Sequence, residues 1–218
     1  MKSFAVIGLG RFGTAVATVL SELGNEVLAI DKDPEVIKEV SSIVTYAVEA
    51  DVMDEHVLKD LGLGNMDAVV VSIGSDLQSS IMATLLSKEL GVSRVVAKAQ
   101  TELHAKVLKK IGADRIIFPE RDMGSRVAHN LTSRNILDYI ELSPEFSILE
   151  VEALKTWVGK DLKDLRLRNK YGVNVIAVKR GTDINISPKS EDVIKDGDIV
   201  IIIGSAEDVK KIEMRVGE

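Results

Sequence analysis

Residues 4–13 read Phe4-Ala5-Val6-Ile7-Gly8-Leu9-Gly10-Arg11-Phe12-Gly13, an apolar run that leads directly into the glycine pattern G-x-G-x-x-G. The apolar run predicts a buried strand, and the residues that follow have helical spacing. In such a strand–turn–helix the first glycine permits the tight turn, the second lets the backbone approach a phosphate, and the third lets the helix lie close to the sheet. The stretch therefore predicts a nucleotide site rather than a simple glycine-rich turn, with these candidate contacts: Gly8, Gly10, Arg11, Phe12 and Gly13.

A carboxylate at the end of the next predicted strand supports this prediction. Asp31 lies 18 residues beyond Gly13, where it can accept hydrogen bonds from both ribose hydroxyls and would repel a 2′-phosphate. We therefore expect an unphosphorylated ribose, and we include the adjacent Lys32 and Asp33 in the candidate site. The spacing leaves two interpretations of Arg11 open: a solvated arginine on the first helical turn, or a second positive charge that senses a γ-phosphate.

The first 118 residues alternate strand-type and helix-type segments. Strands are predicted at residues 4–7, 27–30, 44–48, 68–71, 95–97 and 115–118, and helices at 14–23, 34–40, 55–61, 77–90 and 102–111. Strands that are apolar on both faces and separated by helices are typical of a parallel sheet covered on both sides. The sequence predicts an α/β fold with a Rossmann-like, doubly wound parallel sheet.

The pattern changes after Glu120. Helices are predicted at 123–131, 162–165 and 207–214, and strand-type segments at 146–151, 173–178, 184–186 and 199–203. This mixture indicates a second, smaller α+β domain. We place the nucleotide-binding domain with its connecting helix at residues 1–132, and the second domain at residues 133–218.

Ligands of doubly wound sheets bind outside the carboxyl ends of the strands. The residues that follow the third to sixth predicted strands are therefore candidates by topology, although a purely structural role is as good an interpretation for any one of them. They are Asp51, Val52, Ile73, Gly74, Ser75, Lys98, Ala99, Gln100 and Glu120.

Composition excludes several classes of function. The net charge of −6 and the lack of a basic patch argue against nucleic-acid binding, and the chain has no cysteine for disulfides or thiolate chemistry. Without a signal-type start or a long apolar run, the chain is expected to be cytoplasmic. A dehydrogenase needs a proton relay as well as a cofactor. The three histidines, His56, His104 and His129, all fall in predicted helices. We therefore predict no enzyme activity, with an NAD-dependent oxidoreductase as the alternative.

Several separate motifs resemble one family. Residues 4–13 are similar to the opening of the KtrA/TrkA-type regulators of potassium uptake, the RCK (regulator of potassium conductance) family. The same likeness holds for Lys98-Ala99-Gln100 with His104, for residues 110–117 with Pro119-Glu120, and for three segments of the second domain: 159–162, 171–175 and 197–198. The resemblance spans nearly the whole chain.

The resemblance implies a cytosolic regulatory subunit, peripheral to the membrane, that forms dimers and then an octameric ring beneath a KtrB/TrkH-like potassium channel or transporter. It implies ATP or ADP, and in some relatives NAD or NADH, in the first domain. Arg11 would then reach the γ-phosphate across a dimer contact, Lys98 and His104 would lie near the phosphates, and Glu120 would complete the site, with a divalent or monovalent cation beside it. In the second domain it implies either a pure dimer contact or a cyclic di-AMP site at Arg168, Asn174, Val175 and Pro188.

The linking stretch from Glu120 to Leu142 contains two short apolar segments, which we interpret as helical surfaces. Met123, Val127 and Leu131 form the first, and Ile136, Leu137 and Ile140 form the second. Contiguous exposed apolar faces usually mark contacts. We expect these helices to pack between protomers; the alternative is that they fold back onto their own domain.

Overall fold

A computed structural model describes residues 1–132, 135–143 and 145–216. The chain forms two compact units, Met1–Pro119 and Glu120–Glu218. The division falls at the start of the helix that begins at Pro119, whereas the sequence predicts a boundary after residue 132; that boundary stays a prediction. Among the described residues, no helix is both long and apolar enough to cross a membrane.

The first unit is built on a six-stranded, all-parallel sheet. Its strands run in the order β3-β2-β1-β4-β5-β6. They are β1 (Ser3–Ile7), β2 (Glu26–Asp31), β3 (Tyr46–Glu49), β4 (Ala68–Val71), β5 (Val95–Lys98) and β6 (Arg115–Ile117). The strand order reverses between β1 and β4, and this reversal makes the crevice in which ligands of such sheets bind. The predicted doubly wound sheet is confirmed.

Helices connect these strands on both faces of the sheet. They are α1 (Arg11–Glu22), α2 (Pro34–Val40), α3 (Glu55–Asp60), α4 (Leu77–Glu89) and α5 (Glu102–Lys110), with a short 3-10 helix at Leu63–Asn65. The buried strand residues divide between two apolar clusters, one containing Ala5 and Ile7 and the other containing Val6. Because neighbouring residues of one strand point to opposite faces, this division shows that both faces are covered.

The second unit holds a five-stranded antiparallel sheet in the order β10-β9-β11-β8-β7. Its strands are β7 (Ile136–Ser143), β8 (Phe146–Glu152), β9 (Asn174–Arg180), β10 (Asp183–Asn185) and β11 (Ile199–Ser205). Its helices are α6 (Pro119–Thr132), α7 (Leu162–Leu165), α8 (Leu167–Tyr171) and α9 (Ala206–Val216). Trp157 lies in the apolar core of this unit, together with Leu149, Val151 and Ile202.

The prediction of a second helical surface at residues 136–142 is wrong. These residues form β7, which pairs with β8 so that Tyr139 lies opposite Leu149 and Ile140 opposite Ile148. A short apolar run fits either a helix or a strand, and here pairing with the adjacent strand satisfies the backbone. The first predicted surface does lie on a helix, because Met123, Val127 and Leu131 are exposed along α6.

Candidate functional site

The chain turns sharply after β1, where the glycine pattern begins. The Gly8 N–H donates to the carbonyl of Ile30 on β2 at 2.8 Å, and Gly8 has a φ of +87°, which L-residues with a side chain rarely adopt. A Cβ added at Gly8 would lie 2.8 Å from Cγ1 of Ile73 and 3.0 Å from its backbone nitrogen. Gly8 therefore allows the loop to cross directly over the chain that leaves β4.

The amino terminus of α1 opens onto free space. Gly10 caps the helix with extended backbone, no described side chain accepts a hydrogen bond there, and a Cβ built on Gly10 meets nothing within 4 Å. A Cβ on Gly13 would instead overlap the Gly8 carbonyl oxygen and the Ser72 hydroxyl. The first N–H groups of a helix have no partner within the helix and attract anions. This end of α1 can therefore receive a phosphate.

Side chains hold the loop between β1 and α1 in place. Asp31 accepts hydrogen bonds from the Leu9 N–H at 2.6 Å and from the Asp33 N–H at 3.0 Å. The Thr14 hydroxyl donates to the Leu9 carbonyl at 2.8 Å, and the Ser72 hydroxyl donates to the Gly8 carbonyl. Asp31 thus orients the loop itself, and each of its oxygens has lone-pair capacity left for a ribose hydroxyl.

Three further candidates surround this loop. Arg11 is exposed on the first turn of α1, Phe12 beside it is half-buried, and Lys32 is exposed after β2. An exposed guanidinium on the first residue of the helix can pair with an anion in bidentate fashion. Both interpretations of Arg11 remain compatible with this position.

The chain leaving β3 lies next to Asp31. The Ala50 N–H donates to the carbonyl of Asp31 at 2.9 Å. Asp51 is exposed and accepts a hydrogen bond from the Met53 N–H at 3.0 Å, which closes a tight turn, while the Val52 side chain is buried. The turn at Asp51 therefore lies beside the end of β2; a ligand contact of Asp51 and Val52 stays a prediction.

The ends of β4 and β5 meet at the same edge of the sheet. A Cβ on Gly74 would lie 3.2 Å from the Gln100 amide nitrogen and 3.6 Å from the Lys98 ammonium. Lys98 and Ala99 are buried, whereas Gln100 and Ser75 are exposed. Because Gly74 has no side chain, the ends of Lys98 and Gln100 fit closely against its backbone.

An ordered carboxylate follows this meeting point at the start of α4. Asp76 caps the helix by accepting hydrogen bonds from the Ser79 hydroxyl at 2.7 Å and the Ser79 N–H at 3.1 Å. The bond from the Ser79 hydroxyl is the main cause that lowers the pKa of Asp76, and the charge of Lys32 lowers it further.

His104 and Glu120 have different surroundings. His104, in the first turn of α5, is 4% exposed, and its Nε2 has no hydrogen-bond partner among the described residues. Burial lowers the pKa of His104, so the neutral imidazole is favoured. Glu120 is exposed and belongs to the second unit. Within the part of the chain that the structure describes, no three histidine, aspartate or glutamate residues cluster as a metal site. The cation beside Glu120 stays a prediction.

The family follows from comparison with known proteins. The TrkA-N domain family matches residues 4–119, and the TrkA-C domain family matches residues 146–217. Over 215 residues the chain is 51% identical to Ktr system potassium uptake protein C of Bacillus subtilis (strain 168), which covers 99% of this chain and 97% of that protein. This chain belongs to the KtrA-type RCK family.

A second relative supports the assignment of this chain to the RCK family, and a solved structure supports its fold. It is 45% identical to Ktr system potassium uptake protein A of the same Bacillus strain, a match that covers 97% of this chain and 96% of that protein. Among solved structures, one described as the GsuK channel bound to NAD superposes with a TM-score of 0.70 at 14% identity, over 100% of this chain and 40% of that one. At that identity the likeness concerns the fold alone, and it confirms the predicted fold class.

The second unit of this RCK-family chain places its predicted ligand residues on two segments. Arg168 is exposed on α8, Asn174 is exposed at the start of β9, and Val175 is half-buried against the core. Pro188 is half-buried in the connection between β10 and β11. Arg168, Asn174 and Val175 are neighbours through the turn at Gly172, whose φ is +75°. A ligand role for these four residues stays a prediction.

The sequence does not predict two of the hydrogen bonds that hold the glycine loop, those from the hydroxyls of Thr14 and Ser72. Thr14 is the fourth residue of α1, and its hydroxyl reaches back to the Leu9 carbonyl, a local bond that the sequence could have suggested. Ser72 bonds to a residue 64 positions away. That contact depends on β4 lying beside β1, so it follows only from the order of the strands in the sheet.

Proposed function

We propose that this chain is a nucleotide-binding regulatory subunit of a potassium uptake system. The observation that carries the proposal is the open amino terminus of α1 beside a loop that Asp31, Thr14 and Ser72 hold by hydrogen bonds. Membership of a family whose relatives are named Ktr system potassium uptake proteins supports the potassium part of the proposal.

The proposed ligand is ATP or ADP, with NAD and NADH as alternative occupants of the same site. Asp31 lies where a ribose hydroxyl would meet it, and a 2′-phosphate would be repelled there. Lys98 and Gln100 come together beside Gly74, and the phosphates would lie at this edge of the sheet. An oxidoreductase is not favoured, because family membership favours transport regulation over redox chemistry.

Regulation would act through differential affinity. A nucleotide shifts a conformational equilibrium only as far as it binds the two states differently. In the proposed mechanism, Arg11 contacts the γ-phosphate of ATP across a dimer contact, and ADP lacks that group. Dimers stack into an octameric ring, and the shape of the ring biases a KtrB/TrkH-like membrane partner at the inner face of the membrane. Cyclic di-AMP in the second unit, at Arg168, Asn174, Val175 and Pro188, would be a separate input.

The test is calorimetric titration of the full-length chain with ATP and with ADP. Arg11→Ala should weaken ATP binding far more than ADP binding, because only ATP has the extra anionic group. The matched control is Asp31→Ala, which should weaken both nucleotides together by about 1–3 kcal/mol, since it removes a shared hydrogen-bond acceptor. Equal losses of ATP and ADP in the Arg11 variant would contradict the γ-phosphate role, and no binding of either nucleotide by the wild-type chain would contradict the proposed function.

A further inference from the structure

We propose that Ser72 is a positioning residue that sets the phosphate affinity of the glycine loop without touching the nucleotide. The proposal rests on the proposed function, because it assumes that the loop binds a phosphate. Ser72 follows β4 directly, is 6% exposed, and donates its hydroxyl to the Gly8 carbonyl. Its own N–H donates to the carbonyl of Ile7 at 2.8 Å, so its backbone is fixed against the end of β1.

The Ser72 bond acts on a single peptide group. The Gly8 carbonyl and the Leu9 N–H belong to the same planar unit, which can rotate only as a whole. Ser72 holds the carbonyl side of this unit, and Asp31 holds the N–H side through a bond of 2.6 Å. The peptide between β1 and the glycine loop is therefore fixed from two neighbouring strands.

The next peptide and the start of α1 are held by further contacts in the same way as the Gly8–Leu9 peptide. The Leu9 carbonyl accepts the Thr14 hydroxyl at 2.8 Å, and the N–H of this second unit belongs to Gly10, the capping residue of α1. The Gly8 carbonyl and the Ser72 hydroxyl also occupy the space where a side chain on Gly13 would lie. The first turn of α1 therefore packs directly against the hydrogen-bonded Ser72 hydroxyl and Gly8 carbonyl.

Loss of the Ser72 hydroxyl should therefore act selectively on phosphate binding. Without it the Gly8 carbonyl loses its hydrogen-bond partner in a half-buried place, and the peptide is free to turn toward another partner. The N–H groups ahead of α1 would then no longer be preorganised for an anion. Asp31, the proposed ribose contact, is also held outside the loop by the Asp33 N–H at 3.0 Å, so the contribution of ribose and base should be retained.

The experiment compares ADP with adenosine on the full-length chain by titration calorimetry. Ser72→Ala should bind ADP about tenfold more weakly, in line with the loss of one hydrogen bond, and should bind adenosine as the wild type does. The control is Ser93→Ala, because the Ser93 hydroxyl also donates to a backbone carbonyl, that of Asp67 at 3.0 Å. Asp67 lies just before β4, at the end of that strand opposite to Ser72. This control should leave both affinities unchanged.

An equal loss of ADP and adenosine would overturn the proposal, because it would assign Ser72 a purely structural role. Unchanged ADP affinity in Ser72→Ala would overturn it as well, while leaving the proposed function intact. If the wild-type chain binds no ADP, both proposals fail together. If the alanine variant does not fold, the proposal is tested by comparing the ADP affinities of Ser72→Thr and Ser72→Val. These two side chains have nearly the same shape, but only the threonine keeps a hydroxyl. The threonine variant should bind ADP more tightly than the valine variant, and equal affinities would overturn the proposal.

Discussion

Two places in this chain, one in each unit, are held by different kinds of polar contact. At the carboxyl edge of the first sheet, Asp31, Thr14 and Ser72 form hydrogen bonds with the backbone and thereby orient peptide groups. In the second unit, two arginine–aspartate pairs join side chain to side chain. Backbone N–H groups can form a concavity that binds an anion, and the side chains behind this loop fix the orientation of its peptides, whereas the ion pairs tie elements of a domain together.

The ion pairs of the second unit connect distant segments. Arg180 on β9 contacts both carboxylate oxygens of the fully buried Asp198 at 2.7 Å, and Asp198 also accepts the Lys195 N–H at 2.8 Å. Arg126 on α6 pairs in the same bidentate way with Asp138 on β7. In the second unit, these two bidentate arginine–aspartate pairs therefore link secondary-structure elements to one another.

One tryptophan allows the two units to be followed separately. Trp157 is the only tryptophan in the sequence, and it is 4% exposed in the core of the second unit. Its fluorescence therefore reports the unfolding of that unit. Hydrogen exchange of peptides from β1 and α5 reports the first unit, because exchange follows local opening.

The largest effect should come from Gly13→Ala. The new Cβ would overlap the Gly8 carbonyl oxygen and the Ser72 hydroxyl, so α1 must move away from β1. We expect a loss of about 3 kcal/mol in the first unit, typical of overpacking, with no detectable ADP binding. Peptide-level hydrogen exchange and calorimetry measure these two results. Gly10→Ala, whose Cβ meets nothing within 4 Å, should keep its stability; equal stability of the two variants would contradict the close approach of α1.

A smaller effect, in the other unit, should follow from Asp198→Ala. The change leaves Arg180 and the Lys195 N–H without their acceptor, and we expect a loss of about 2 kcal/mol, less than for a fully buried pair because Arg180 is half-exposed. Urea unfolding followed by Trp157 fluorescence measures it. Asp183→Ala, an exposed carboxylate on β10, is the matched control. A weakened ADP affinity with an unchanged Trp157 transition would contradict the division of roles between the units.

The smallest effect should be a difference between the two units in how their stability depends on pH. Burial lowers the pKa of His104 below its usual 6.5. As the pH falls below 6.5, the unfolded chain binds a proton that the folded chain does not, so the first unit loses stability. The hydrogen bond from Arg180 lowers the pKa of Asp198 below its usual 3.8, so its contribution is complete above 3.8 and is lost only as the pH falls further.

Between pH 7 and pH 5, hydrogen exchange in α5 should therefore accelerate relative to the intrinsic rate, while the Trp157 transition remains unchanged. His104→Gln should remove the dependence in α5. A Trp157 transition that shifts over the same range would show that another group controls the acid sensitivity.

The sequence predicts local features of this chain better than features that depend on strand pairing. The glycine pattern with Asp31 identifies the loop, because the strand, the turn at Gly8 and the helix that lies against the Gly8 carbonyl at Gly13 follow one another within a short stretch of sequence. The helix predicted for residues 136–142 is wrong, since a short segment with apolar residues at 136, 137 and 140 fits a helix as well as a strand, and pairing with β8 makes it a strand. The bond from Ser72 to Gly8 was not predicted, because its two residues lie 64 positions apart, on strands whose order the sequence does not state.

The clamped peptide between Gly8 and Leu9 has a kinetic consequence. A loop that the chain's own side chains already hold in place has little conformational entropy left to lose on binding. ATP and ADP share every group that would meet this loop, so they should enter it at similar rates. Any preference between them then resides in how long each stays bound, and the residence time is set by groups outside the loop, such as the exposed guanidinium of Arg11.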